Sequence, residues 1–311
     1  KTDGKAVTLT RGEKLTESLF NVLEGSTLKL TGSDDARITV DGASVEATAA
    51  MIASAGTLEL TKVDLKNAVS AGAGGAVYMT KGTLTSTDCR YENNRASTGG
   101  AVDAQKNAKV RMDFIGGSFT DNTAKTTGGA VNLMDGNTLS AKNVTFRGNK
   151  TTASTANKGG GALYVANTVA NFEGCTFDSN SVTGKATSTG GAIGIPYDCV
   201  TSLSCSLNLT DCTFAGNQAA EASDIYSVSE AGITIKQTEK PDPVDPEPDP
   251  KPNPDPDPVD PEPDPDPADP KPTEPAAPVA PETPAKPDQF KTGDESHLAL
   301  WGALALTAAA G

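Results

Sequence analysis

Histidine occurs once in this 311-residue chain, at His297, which leaves no Ser/His or Cys/His pair to build a nucleophile around in the first 240 residues. The five cysteines, at 89, 175, 199, 205 and 212, include no C-x-x-C. None has a Cys/His spacing suited to zinc, so no metal and no cofactor is expected. Lysine and arginine number 26 against 40 acids, a formal net charge of −14, and no basic patch stands out. That balance argues against a nucleic-acid partner. Before residue 240 proline is nearly absent, Pro196 being the single case. No apolar run reaches the roughly 20 residues that a membrane-spanning helix needs.

What the chain does contain is a phrase repeated five times. Gly-Gly-Ala-(Val/Leu/Ile) begins at Gly74, Gly99, Gly128, Gly160 and Gly190. An aromatic residue with Asn three places on follows each copy: Tyr91/Asn94, Phe119/Asn122, Phe146/Asn149, Phe177/Asn180 and Phe214/Asn217. The second glycines are 25, 29, 32 and 30 residues apart, a period that marks a repeat architecture.

Within each repeat, apolar residues alternate at period two in three short runs. One follows the glycines (Val77/Met79, Val131/Leu133), one lies midway (Leu84/Ser86, Met112/Phe114), and one ends on the aromatic (Cys89/Tyr91, Val144/Phe146). Three strands per repeat predict one coil of an all-β, right-handed parallel β-helix over about residues 30–235, with buried columns stacked as ladders. Phe rings would fill the interior. The glycines would serve corners where φ is positive or a neighbouring backbone comes close. The Asn column is expected at a corner in the αL region, bonded to local backbone or to its stacked neighbours. Clear repeats cover 74–226, and residues 5–73 read as degenerate early coils. Within these, 12–24 form either a helical cap (Leu15, Leu19, Val22, Leu23) or a further irregular coil.

The Gly-Gly-Ala-Ile and Phe-x-x-Asn pair resembles the repeat of chlamydial polymorphic outer membrane proteins, shared by many bacterial surface β-helix proteins. The resemblance covers roughly residues 74–226. It implies a right-handed helix and a surface-exposed, adhesin-like role. Chlamydial members continue into an outer-membrane barrel; here the sequence turns to a different tail, which points to another envelope.

That tail begins at 239. Between Pro241 and Pro287 lie 20 of the 21 prolines, and residues 240–288 carry 14 acids against 4 lysines. Alternating Pro and Asp fit neither helix nor sheet. As polyproline II, at about 3.1 Å per residue, residues 239–288 would make a semi-rigid spacer on the order of 150 Å long. Residues 289–311 read as Gln-Phe-Lys-Thr-Gly-Asp and then an Ala/Leu-rich run, the expected start of a membrane helix. This order resembles a Gram-positive cell-wall sorting signal, which implies sortase cleavage between Thr292 and Gly293 and linkage to peptidoglycan. Gln289 and Phe290 stand where that signal has Leu and Pro. A plain transmembrane anchor is the competing reading. Either places the body, 1–238, outside the cell. A start at Lys1 without Met or signal peptide fits a trimmed or incomplete secreted protein.

Three functional readings follow. In the first, the body binds host or matrix glycans or proteins. Tyr78, Tyr164 and Tyr226 fall in one outward column and could stack on sugar rings, or else simply cover a sheet face. In the second it is a passive stalk or coat. The third, a polysaccharide lyase or hydrolase, needs clustered acids. The Tyr78 column (Tyr78, Asp103, Asn132, Tyr164, Gly194) holds one carboxylate, and the column Arg90, Ser118, Thr145, Thr176, Thr213 holds none, so no catalytic residues are assigned. Cys89, Cys175 and Cys212 share an inward column as small filler. Cys199 and Cys205, in the one long insertion, are candidates for a loop-closing disulfide.

Overall fold

In the computed structural model the described residues are 4–152, 159–184, 189–195, 206–227 and 233–237. They wind into a right-handed parallel solenoid, with no helix among them. Three parallel sheets, each eight strands deep, run its length. The glycine sheet takes the strand after each Gly-Gly, from Phe20–Val22 through Val77–Met79 and Val131–Met134 to Ile225–Ser227. The long sheet takes the middle strand, from Thr27–Thr31 through Arg111–Ile115 to Ile233–Lys236. The aromatic sheet takes the third, from Val7–Thr10 through Thr145–Arg147 to Thr213–Ala215.

A fourth, six-stranded sheet adds a short strand to the coil that the sequence pattern does not reveal, as at Arg95–Thr98 and Thr123–Thr127. Residues 12–24 form an irregular coil, not a helical cap: Phe20–Val22 pairs in register with Ile52–Ser54. The solenoid runs from Val7 at one end to Lys236 at the other.

The interior is organised by ladders. Tyr91, Phe119, Phe146, Phe177 and Phe214 align one above the other. Neighbouring rings are nearly parallel, within 9°, with centroids 4.4–5.0 Å apart. All but the half-buried Phe214 are sealed from solvent. Phe114 and Phe172 meet this stack edge-on. Where the ladder has Tyr, the facing column has Ser: the Tyr91 hydroxyl donates to Ser86 Oγ at 3.0 Å, which satisfies a phenol that would otherwise be stranded in the core. Burial holds the Tyr91 pKa well above the ordinary phenol value.

The asparagines form a second ladder, and here the expected αL corner is corrected. The αL conformation belongs to the residue before each, Asn93 (φ 54°), Asp121 (54°), Gly148 (64°), Ser179 (56°) and Gly216 (62°). The asparagines turn inward and are buried. Each side-chain amide but the last donates to the Asn of the next coil: Asn94 to Asn122, Asn122 to Asn149, Asn149 to Asn180 and Asn180 to Asn217, at 2.9–3.0 Å, while Asn217 donates to Asp224. Each also donates back to a carbonyl of the preceding coil, as Asn149 does to Phe119 O. Each of the upper four side-chain carbonyls accepts from the preceding coil's side-chain amide and backbone N–H, as Asn149 Oδ1 does from Asn122. Every donor and acceptor of a buried amide is thereby used, which is the condition for burying one without loss.

The Gly-Gly corner divides its two needs between two residues. Gly128 has φ of 61°. Gly129 has no such constraint, but a Cβ there would lie 1.9 Å from Gly161 O of the next coil. The turn between the long and aromatic strands shows a related economy. Its stacked residues Asp88, Gly116, Asn143, Gly174 and Asp211 all have positive φ. Acid or amide alternates with glycine there because each side-chain oxygen fills the space a Cβ would take: Asp88 Oδ1 would be 2.3 Å from one on Gly116.

Candidate functional site

The outward column of the glycine sheet is in the expected register: Tyr78 beside Asp103, Asn132 beside Tyr164, Gly194 beside Tyr226. It is not, however, an open face. The chain arriving at Gly-Gly folds back over the strand it is about to enter. A Cβ on Gly194 would sit 2.8 Å from Gly160 N, and one on Gly99 would sit 2.9 Å from Asp103 Cβ. Asp103, Asn132 and Tyr164 are therefore only 2–3% exposed, while Tyr78 and Tyr226 are half-buried. Tyr164 cannot present a ring to a sugar, so the three-tyrosine platform reduces to two half-covered rings at separated coils.

The covered column is a closed polar layer. Asn132 Nδ2 donates to Asp103 Oδ2 at 3.0 Å, and Asn132 Oδ1 is buried without a partner. Burial pushes the Asp103 carboxyl up to about 7, against the opposing hydrogen bonds of Thr98 and Asn132. Burial, and then the Asp103 charge, also raise the Tyr78 phenol.

The cysteine column is as expected: Cys89, Cys175 and Cys212 are buried and free. Cys175 and Cys212 stack in adjacent coils and share a hydrogen bond, which with burial raises Cys175 and against burial lowers Cys212. Burial raises Cys89. Cys199, Cys205, Thr292 and Gly293 lie outside the described residues. Among the described residues no three His, Cys, Asp or Glu side chains gather as a metal site.

The open surface is the long sheet. Its middle outward column reads Lys29, Glu59, Thr85, Asp113, Ser140, Asn171, Asn208 and Thr234 in continuous register. In its later coils two adjoining depressions open in the face, both lined by Ser140 and Asn171. The sequence reading used this strand only for its inward residues. The signal was present in the other phase of the same alternation, where Ser140, Asn171 and Asn208 stand at every second place between buried apolar residues.

In comparison with protein families, residues 143–166 match the Chlamydia polymorphic membrane protein repeat. The matched segment runs from the corner before Phe146, through its ladder rung, to the end of the strand Leu163–Ala166. No curated protein and no solved structure matches the chain.

Proposed function

We propose that the chain is a non-catalytic, surface-exposed solenoid with an adhesin-like role, binding a host or matrix partner on its outer faces. The observation that carries this reading is the polymorphic-membrane-protein repeat at 143–166. The architecture supports it: the interior rings, amides and thiols are taken up by ladders, which leaves recognition to the outside. A lyase or hydrolase would need paired, reachable carboxylates. Asp103, the acid of the glycine-sheet column, is buried and hydrogen-bonded to Asn132. The acidic spacer would hold the body away from the envelope. Linkage through Thr292 and Gly293 to peptidoglycan, or through the apolar run to a membrane, rests on the sequence pattern of residues 289–311.

A passive stalk is the second reading. It is favoured by the way outer charges pair with their own neighbours, as in Lys29–Glu59 and Lys142–Glu173 at 2.7 Å and Arg147–Asp178 at 2.9 Å. The test is a glycan and matrix-protein array probed with the full chain and with its Tyr78→Ala/Tyr226→Ala form. Saturable binding to any array member is the expected result, and loss in the double variant would assign the glycine-sheet face. A blank array would overturn adhesion in favour of the stalk.

A further inference from the structure

We infer that the long sheet carries a binding groove for a neutral, linear oligosaccharide, lying across the coils from Arg111–Ile115 to Ser206–Thr210. The inference rests on the reading that the outer faces bind a partner, and it names the face and the ligand class.

The groove is made by side-chain length. Its floor is the column Asp113, Ser140, Asn171 and Asn208, short polar groups stacked in register about 4.8 Å apart, the spacing of paired strands. Longer side chains rise beside it, Arg111 at one end and Lys142 with Glu173 further along. Beyond Thr85, two and three coils before Asp113, the same column holds Glu59 and Lys29, whose own length fills the face.

The floor offers free hydrogen-bonding groups of both kinds. Within the column Asn208 Nδ2 donates to Asn171 Oδ1 at 2.8 Å. That leaves the Asn171 amide N–H, the Asn208 carbonyl and the Ser140 hydroxyl facing solvent: a donor, an acceptor and a group that is both. A sugar hydroxyl also donates and accepts, so one kind of ligand group satisfies all three.

Charge narrows the class further. Arg111 is paired with Asp113 at 2.8 Å and Lys142 with Glu173 at 2.7 Å, so the groove presents no unpaired charge to an anionic glycan or a nucleic acid. Peptides typically add a strand to a sheet edge or seat an apolar anchor in a pocket. This is a sheet face with a polar floor. A chain of repeating neutral units laid along the solenoid axis meets the same chemistry at each coil.

The test is calorimetric titration of the full chain with cellohexaose, chitohexaose and mannohexaose, with hexagalacturonate as the anionic counterpart. The Asn171→Ala/Asn208→Ala form is titrated alongside, and Thr85→Ala serves as a control from the same column outside the groove. At least one neutral hexasaccharide should bind, roughly tenfold weaker or worse in the double variant, the loss expected for two hydrogen bonds. Thr85→Ala should bind unchanged, and all three proteins should melt at the same temperature. Binding that survives the double variant, preference for hexagalacturonate, or no neutral ligand at millimolar concentration would each overturn the groove. If the matrix array is positive while the groove variants bind it normally, the groove fails and surface binding stands. If the array is blank as well, both fail.

Discussion

In the coils before Gly74 the aromatic column is aliphatic, Val40 and Leu65, and Ala68 stands where later coils have the ladder asparagine. After Gly74 the columns become Tyr91 to Phe214 and Asn94 to Asn217. The two halves nevertheless share one register. Val40 aligns with Leu65 and Leu65 with Tyr91, and the Ala68 backbone N–H donates to Asn94 Oδ1 at 3.0 Å as if it were another rung. Leu58, Leu60, Val63 and Leu65 are as completely buried as Phe146. The solenoid itself is therefore made by alternating apolar positions and backbone bonds between coils. The repeated motif adds a specific filling to that frame where rings and amides can stack.

The comparison can be broken by removing one rung from each half. Phe146→Ala should cost about 3–5 kcal/mol and Leu65→Ala about 2–5 kcal/mol. Both would be read from denaturant midpoints at unchanged slope. A cost confined to Phe146 would mean that the early coils are held by something other than the shared core.

The next effect is one of pH and belongs to the later coils alone. Asp103 has its carboxyl raised to about 7 in the fold, from 3.8. The fold therefore favours the protonated form. The contribution is fully present below pH 4 and is lost as pH rises through about 7, a swing of at most about 4 kcal/mol. Asp103→Asn should abolish this slope in melting temperature between pH 4 and 8. A variant that keeps the slope would place its source elsewhere.

A sharper effect is expected within the ladder. Asn149→Ala removes the acceptor of both the Asn122 side-chain amide and the Asn122 backbone N–H, and the side-chain donor to Phe119 O, at about 1–3 kcal/mol for each group left buried and unpaired. The alanine already present at 68 in the early half costs Asn94 Oδ1 only a side-chain donor, because the Ala68 backbone N–H still donates to it at 3.0 Å. Asn149→Ala should thus be costlier than a solvent-facing Asn171→Ala in the same melt, and equal costs would deny the ladder its role.

These contrasts also show what the sequence makes legible. Strands and ladders could be read because their cause is periodic: every second residue faces in, and the period repeats along the chain. The short fourth strand was not, because Lys150–Thr151 and Ser181–Val182 are only two residues each and lack an apolar alternation. The burial of Tyr164 and Asp103 was hidden because the chain folds back at Gly-Gly, and that fold-back covers a column which the strand period alone marks as outward. The αL position was displaced by one residue because Asn93–Asn94 and Asp121–Asn122 offer two turn-forming residues side by side, and only the buried amide network separates their roles. The groove went unread because a polar outer column looks like any solvated sheet face until side-chain lengths are compared between coils.

The most direct test of a single frame shared by both halves is amide hydrogen exchange on the full chain. Strands Thr57–Thr61 and Val63–Lys66 should be protected as strongly as Thr138–Lys142 and Thr145–Arg147, all of them interior to sheets eight strands deep. Rapid exchange confined to the coils before Gly74 would contradict the continuous ladder and leave the solenoid only where the motif is written.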